Sequence, residues 1–214
     1  MTDFIEEDRL KGQLTEPSTF YPCISLVKKY NYADYVSWGN DIRYELLDGV
    51  PYMMAGANER HQWVSNHILD QLNNKLRGKP CVPYHPPMDV RLFYEEDESD
   101  TTTVQPDLMI VCDESQIKGL NYCKGPPQVI IEITSASTES VDFGKKRFLY
   151  ERAKVPEYWV VTENRVYIYT FENKAYNKAY KEEIIFLGES NSIQFRTLEG
   201  IFIDFSEIIF RYQN

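Results

Sequence analysis

A chain of 214 residues is long enough for one domain with a sizeable core and short for two, and 43% apolar with 26% charged residues is the balance of an ordinary folded protein. No apolar run reaches the length that crosses a bilayer, and the acidic start M-T-D-F-I-E-E-D lacks the basic-then-apolar pattern of a secretory signal, so a cytoplasmic protein with no membrane association is expected. A net charge of -10 excludes broad adhesion to nucleic acid and leaves room only for a local basic cleft. The four cysteines, Cys23, Cys81, Cys112 and Cys123, form no C-x-x-C pair and are expected as free thiols, with neither a zinc site nor a disulfide framework.

Residues 1–25 carry Gly12, Pro17 and several charges without periodicity and are expected to be an N-terminal arm, with residues 26–214 as a single domain. A short helix is expected at 32–38, broken by Gly39-Asn40-Asp41. Two apolar runs, 43–47 and 50–54, flank Asp48-Gly49, the strongest signal for a type I′ hairpin turn. Asn58 can cap a helix reaching Arg77, with Val64, Ile68, Leu72 and Leu76 on one face and Gly78 and Pro80 as its stop. Strands at 81–84 and 89–93 precede an acidic stretch, Glu95 to Asp100, that reads as an exposed tip. Residues 108–112 and 129–133 are short, nearly continuous apolar runs of buried-strand type, separated by a loop over 113–127. A helix at 140–153 presents Val141, Phe148 and Leu149 on one face, and Val155-Pro156 ends it. Strands follow at 157–162, 166–171, 183–187 and 192–195, and the apolar 201–210 packs back on the core. Strands outnumber helices, which points to an α+β (mixed α/β) domain.

Asp107 and Glu132 stand inside runs that otherwise belong in a core. A buried ionised carboxylate takes up a proton unless a lysine or a cation compensates it. Two strand carboxylates suit a hard divalent cation, which takes oxygen ligands and fills its shell with water and phosphate. Lysines are close at hand on the next helix. There Asp142, Lys146 and Tyr150 share a face at i, i+4 spacing, so Lys146 can equally pair with Asp142.

The blocks Y-E-L-L-D-G at 44–49, H-Q at 61–62, V-Q-P-D-L at 104–108, E-I-T-S-A-S-T at 132–138, D-F-G-K-K-R-F-L-Y at 142–150 and V-P-E-Y-W-V-V at 155–161, in that order, resemble the Uma2 family. That family belongs to the PD-(D/E)XK nuclease superfamily, and the resemblance spans roughly residues 30–210. It implies a restriction-endonuclease-like core, a central mixed β-sheet flanked by helices. It further implies that Asp107 and Glu132 bind Mg2+ or Mn2+ and that a catalytic lysine completes the site. In the superfamily this lysine stands two residues after the second acid, a position held here by Thr134. The family takes its lysine from the following helix, which is Lys146 in this register; Lys145, on the Val141 and Leu149 face, stays open as the alternative.

By the same resemblance Glu45 becomes a further metal or water ligand and His61 a contact to phosphate or to the metal's outer shell. Gln105 either joins the site or caps a strand. Tyr158 and Trp159 read as core. The implied activity is Mg2+-dependent endonuclease cleavage of DNA by a homodimer. Two other readings stay open: a non-catalytic binding module that keeps the fold, and metal-independent hydrolysis by the two carboxylates.

Overall fold

Two runs with almost no polar alternation, Leu108–Val111 and Val129–Ile133, are buried at every position and pair antiparallel, with Leu108 opposite Ile131. They form the middle of the protein, seen in a computed structural model that describes residues 28–39, 42–54, 56–135, 138–174, 177–189 and 191–212. The arm expected over 1–25 and Cys23 lie outside the described residues. In chain order the elements are α1 (Tyr32–Ser37), β1 (Tyr44–Leu47), β2 (Val50–Met53), α2 (Glu59–Leu76), β3 (Val82–Tyr84), β4 (Asp89–Arg91), β5 (Thr103–Val104), β6 (Leu108–Val111), β7 (Tyr122–Lys124), β8 (Val129–Ile133), α3 (Arg147–Arg152), β9 (Glu157–Val161), β10 (Arg165–Lys174), β11 (Asn177–Phe186), β12 (Ser192–Gln194), β13 (Phe202–Asp204) and α4 (Ser206–Tyr212). A π-helical turn, Val141–Lys146, leads directly into α3.

Six strands form a mixed sheet in the order β11-β10-β9-β8-β6-β3, and five more form a second sheet, β2-β1-β5-β4-β7. Strands β8 and β9 are parallel, so the chain must cross over between them, and the π turn with α3 makes that crossover. Side chains alternate along each strand, which sorts the core onto two faces. On one face Leu108, Ile110, Val129, Ile131 and Ile133 join Val64, Ile68, Leu72 and Leu76 of α2. On the other, Met109, Val111 and Ile130 join Leu149 and Tyr150 of α3 together with the second sheet. Each buried aliphatic side chain contributes roughly 1.5–3 kcal/mol. A slip of β8 by one residue would reverse all of them, so the register that places Glu132 on the α3 side is strongly held.

Local sequence accounts for the flanking pieces. Asp48 and Gly49 both take positive φ, 50° and 78°, as a type I′ turn requires. The Asn58 side chain accepts a hydrogen bond from the His61 N–H and starts α2. Tyr158 and Trp159 are fully buried, as core residues.

Four expectations are corrected. First, the segment 140–153 is not one regular α-helix: the Arg147 N–H bonds to the carbonyl of Asp142 five residues back. The widened turn rotates the face, so Phe148 lies exposed while Asp142, Lys146, Leu149 and Tyr150 are buried. Second, Asp100 is no part of an exposed tip; it is buried against Arg91. Third, the loop over 113–127 holds β7, whose parallel pairing with β4 has no local sequence signal. Fourth, Cys81 and Cys112 are joined by a disulfide, because the pairing of Val82 with Val111 sets the two cysteines opposite each other, 3.9 Å apart at Cα. Cys123 is a free, buried thiol, and burial pushes it up to about 12. No helix among the described residues is long and apolar enough to cross a membrane.

Candidate active site

Where β6 and β8 separate, just ahead of Leu108, side chains take over from the backbone ladder. Asp107 Oδ2 accepts the N–H of Ile133 at 2.8 Å, and the Asp107 N–H donates to Glu132 Oε2 at 3.2 Å. Each acid thereby holds the other's strand. Pro106, which has no N–H, precedes the splayed end. The third residue of α2, His61, brings its Nε2 to 2.9 Å from Asp107 Oδ2.

Glu132 projects from β8 toward α3, on the same face as Ile130, and is 2% exposed. Its Oε1 accepts the Tyr150 hydroxyl at 2.8 Å and lies 3.0 Å from Lys146 Nζ. Lys146 Nζ is also 2.9 Å from Glu45 Oε1 and 3.9 Å from Asp142 Oδ1. Glu45, on β1, is fixed in turn by the backbone N–H of Gln105 at 2.8 Å. The Tyr158 hydroxyl donates to the carbonyl of Asp142 at 3.1 Å and steadies the π turn. The Thr134 hydroxyl, two residues beyond Glu132, donates to the Ser135 carbonyl at 3.3 Å and lies 3.2 Å from the Thr138 hydroxyl. At the end of the widened turn, Lys146 is buried facing Glu132 on β8.

The electrostatics are unbalanced. Burial pushes Glu132 well above the usual carboxylate range; Lys146 opposes this, and the charges of Asp107, Asp142 and Glu45 add to it. Burial alone would lower Lys146, but Glu132, Glu45 and Asp142 override it and hold the ammonium charged well above the ordinary lysine range. Asp142 is raised by burial, against Lys146 and the two threonine hydroxyls. The tyrosine at 150 is raised first by burial and then by the carboxylates.

Asp107, Glu132, Lys146, Glu45, His61 and Gln105 all line one cleft of about 440 Å³. The structure therefore brings every expected site residue to a single cleft. It also separates the two lysines. Lys146 is buried among the acids, whereas Lys145 is exposed, its ammonium donating to the hydroxyl of Tyr52, itself a residue of the cleft, and sitting 4.5 Å from that ring's centre. The Gln105 side chain turns from the acids toward a neighbouring cavity: it accepts from Arg43 Nε at 3.0 Å and donates to Asp89 Oδ1 at 2.7 Å. Arg43 and Asp89 were not singled out by sequence; neither belongs to a motif, and only the sheet register brings them beside Gln105.

Would a divalent cation suit these residues? Among the described residues no three His, Cys, Asp or Glu side chains gather at metal-ligating geometry. Mg2+ does not require that, because it commonly takes one or two carboxylates and completes its shell with water and substrate phosphate. The donors are hard oxygens on opposed strand ends, and a bound cation would offset the burial that raises Glu132 and the neighbouring carboxylates that add to it. The donor chemistry fits.

Known proteins resemble this chain in sequence and in fold. A curated relative, "Uncharacterized protein slr1290" of Synechocystis sp., is 25% identical over 138 residues, covering 63% of this chain and 70% of that protein. The crystal structure of "a putative nuclease belonging to DUF820" from Anabaena variabilis superposes with a TM-score of 0.67 at 10% identity, covering 84% of this chain and 97% of that one, which shows a shared fold. Residues 32–206 match the Uma2 family, described as "Putative restriction endonuclease", and the chain belongs to that family.

Proposed function

We propose that the protein is a cytoplasmic Mg2+- or Mn2+-dependent endonuclease that hydrolyses DNA phosphodiester bonds, with Asp107 and Glu132 as metal ligands and Lys146 as the catalytic lysine. The observation that supports this most is the convergence of those three side chains, from two strand ends and a π turn, on one cleft. Asp107 and Glu132 would hold the divalent cation, which would supply Lewis acidity to activate water and to offset charge on the phosphoryl oxygens.

The chain's own residues do the rest. Asp107 is oriented for ligation by the Ile133 N–H and His61, and Glu132 by the Tyr150 hydroxyl. Lys146, kept charged by its neighbours, stands where it can orient the attacking water and stabilise negative charge as the bond to phosphorus forms. Glu45 keeps that ammonium in place at 2.9 Å. With four carboxylates on its wall, the cleft repels phosphate until a cation enters, so nucleic-acid binding should itself require divalent metal. Cutting both strands of a duplex takes two such sites, and a symmetric homodimer is the form proposed.

The test is nicking of supercoiled plasmid by the purified protein. Nicking that appears with Mg2+ or Mn2+ and disappears with chelator supports the proposal. Hydrolysis that persists in chelator would instead favour metal-independent chemistry by the carboxylates.

A further inference from the structure

A second cavity, about 490 Å³, adjoins the catalytic cleft; Arg43 and Gln105 line both. Its other walls include Tyr35 and Trp38 from the end of α1, Tyr44 at the start of β1, and Asp89 at the start of β4. The aromatic rings form a connected cluster: Tyr35 and Trp38 lie 5.7 Å apart between centres, and Trp38 and Tyr44 5.6 Å. Asp89 Oδ1 receives the Tyr35 hydroxyl at 3.0 Å and the Gln105 amide at 2.7 Å, while Oδ2 has no hydrogen-bond partner among the described residues. Aromatic packing of α1 against β1 explains the ring contacts. It does not explain a cavity beside them with an acceptor oxygen and an exposed arginine on its walls.

We propose that this cavity is a base-binding subsite that takes an unpaired nucleobase next to the phosphate held in the catalytic cleft. This rests on the nuclease reading above and specifies its substrate as a nucleic acid with an unstacked base near the cut. The aromatic rings supply a stacking platform, Arg43 stands between the two cavities to meet the linking phosphate, and Asp89 accepts an N–H from the base. Adenine and cytosine carry exocyclic amino groups that suit a carboxylate acceptor. Thymine presents a carbonyl oxygen at the matching position and is disfavoured. The distance along the chain is short: the Gln105 side chain faces the second cavity, and its backbone N–H holds Glu45 in the first.

The test is binding of fluorescently labelled oligo(dA), oligo(dC) and oligo(dT) to the full chain by anisotropy, with Ca2+ in place of Mg2+. The wild type should bind oligo(dA) and oligo(dC) more tightly than oligo(dT). Asp89→Asn, which keeps the side-chain shape but can turn an amide N–H toward the base, should level that preference. Trp38→Leu should weaken all three by about tenfold. Asp89→Asn reads the idea independently of any loosening of α1 by Trp38→Leu. No preference in the wild type, or the same preference in folded Asp89→Asn, overturns the subsite. Plasmid nicking measured alongside separates the two readings. Nicking without base preference sinks the subsite alone, and base preference without nicking sinks the nuclease alone.

Discussion

Two buried clusters of charge stand in this protein, built on opposite principles. Around Arg91, one guanidinium meets one carboxylate, Asp100, with exposures of 1% and 0%; it also donates to the Glu95 carbonyl at 2.8 Å and lies over Tyr32 at 3.9 Å. Charge is matched, and the Nε and Nη2 donors have partners. Around Lys146, three carboxylates approach a single ammonium, and a fourth, Asp107, is tied to one of them. A matched buried pair is a structural joint, here pinning the acidic loop to β4. In the unmatched one Glu132 is raised, by burial first and then by the neighbouring carboxylates, and it is proposed to exchange its proton for a metal ion.

The comparison breaks most visibly at the matched pair. Asp100→Ala leaves a buried guanidinium uncompensated and should cost about 3–5 kcal/mol of stability, read as a lower midpoint in urea denaturation. Divalent cations should not restore it. At the unmatched cluster the largest effect is on activity: Lys146→Met should lower nicking by about 10²–10³-fold, the scale of losing one electrostatic stabiliser of a transition state. Asp107→Ala or Glu132→Ala should abolish it together with metal binding.

Added Mn2+ should stabilise the wild type by about 2.7 kcal/mol at a hundredfold excess over the dissociation constant. The same addition should do nothing for Asp107→Asn, as thermal melts with and without metal would show. The pH response has a definite sign. Because Glu132 is raised in the folded state, the metal-free fold binds a proton that the unfolded chain releases. Stability from this group is full below the ordinary glutamate range and falls as pH rises through its raised value. Chemical denaturation in chelator across pH should show that slope, and Glu132→Gln should flatten it. The smallest effect belongs to Lys145. Its contact with Tyr52 is exposed, so Lys145→Ala should change stability by no more than about 1 kcal/mol and leave nicking within about twofold.

What sequence reveals here follows from how local each feature is. The Asp48-Gly49 turn, the Asn58 cap and the apolar stripe of α2 are written in a few adjacent residues, and each is found where local chemistry places it. The two apolar runs beside Asp107 and around Glu132 are legible as strands because, the acids apart, nothing in them favours solvent. The lysine was not settled by spacing, since regular helical geometry left Lys145 and Lys146 both open. A π turn, which no hydrophobic period announces, buries Lys146 among the acids and leaves Lys145 exposed. Pairings across distance were silent: Arg91 with Asp100, Cys81 with Cys112 and β4 with β7 depend on register, which becomes visible only once the strands are assembled. The same holds for Arg43 and Asp89 beside Gln105.

The unmatched cluster is the proposed metal site. Anomalous scattering from crystals soaked in Mn2+ tests it most directly. The prediction is a peak within direct ligand distance of the Asp107 and Glu132 carboxylates, with Lys146 at its edge and nothing bound at Arg91 and Asp100. A cleft that stays free of manganese at saturating concentration, or a peak that contacts neither acid, would contradict it.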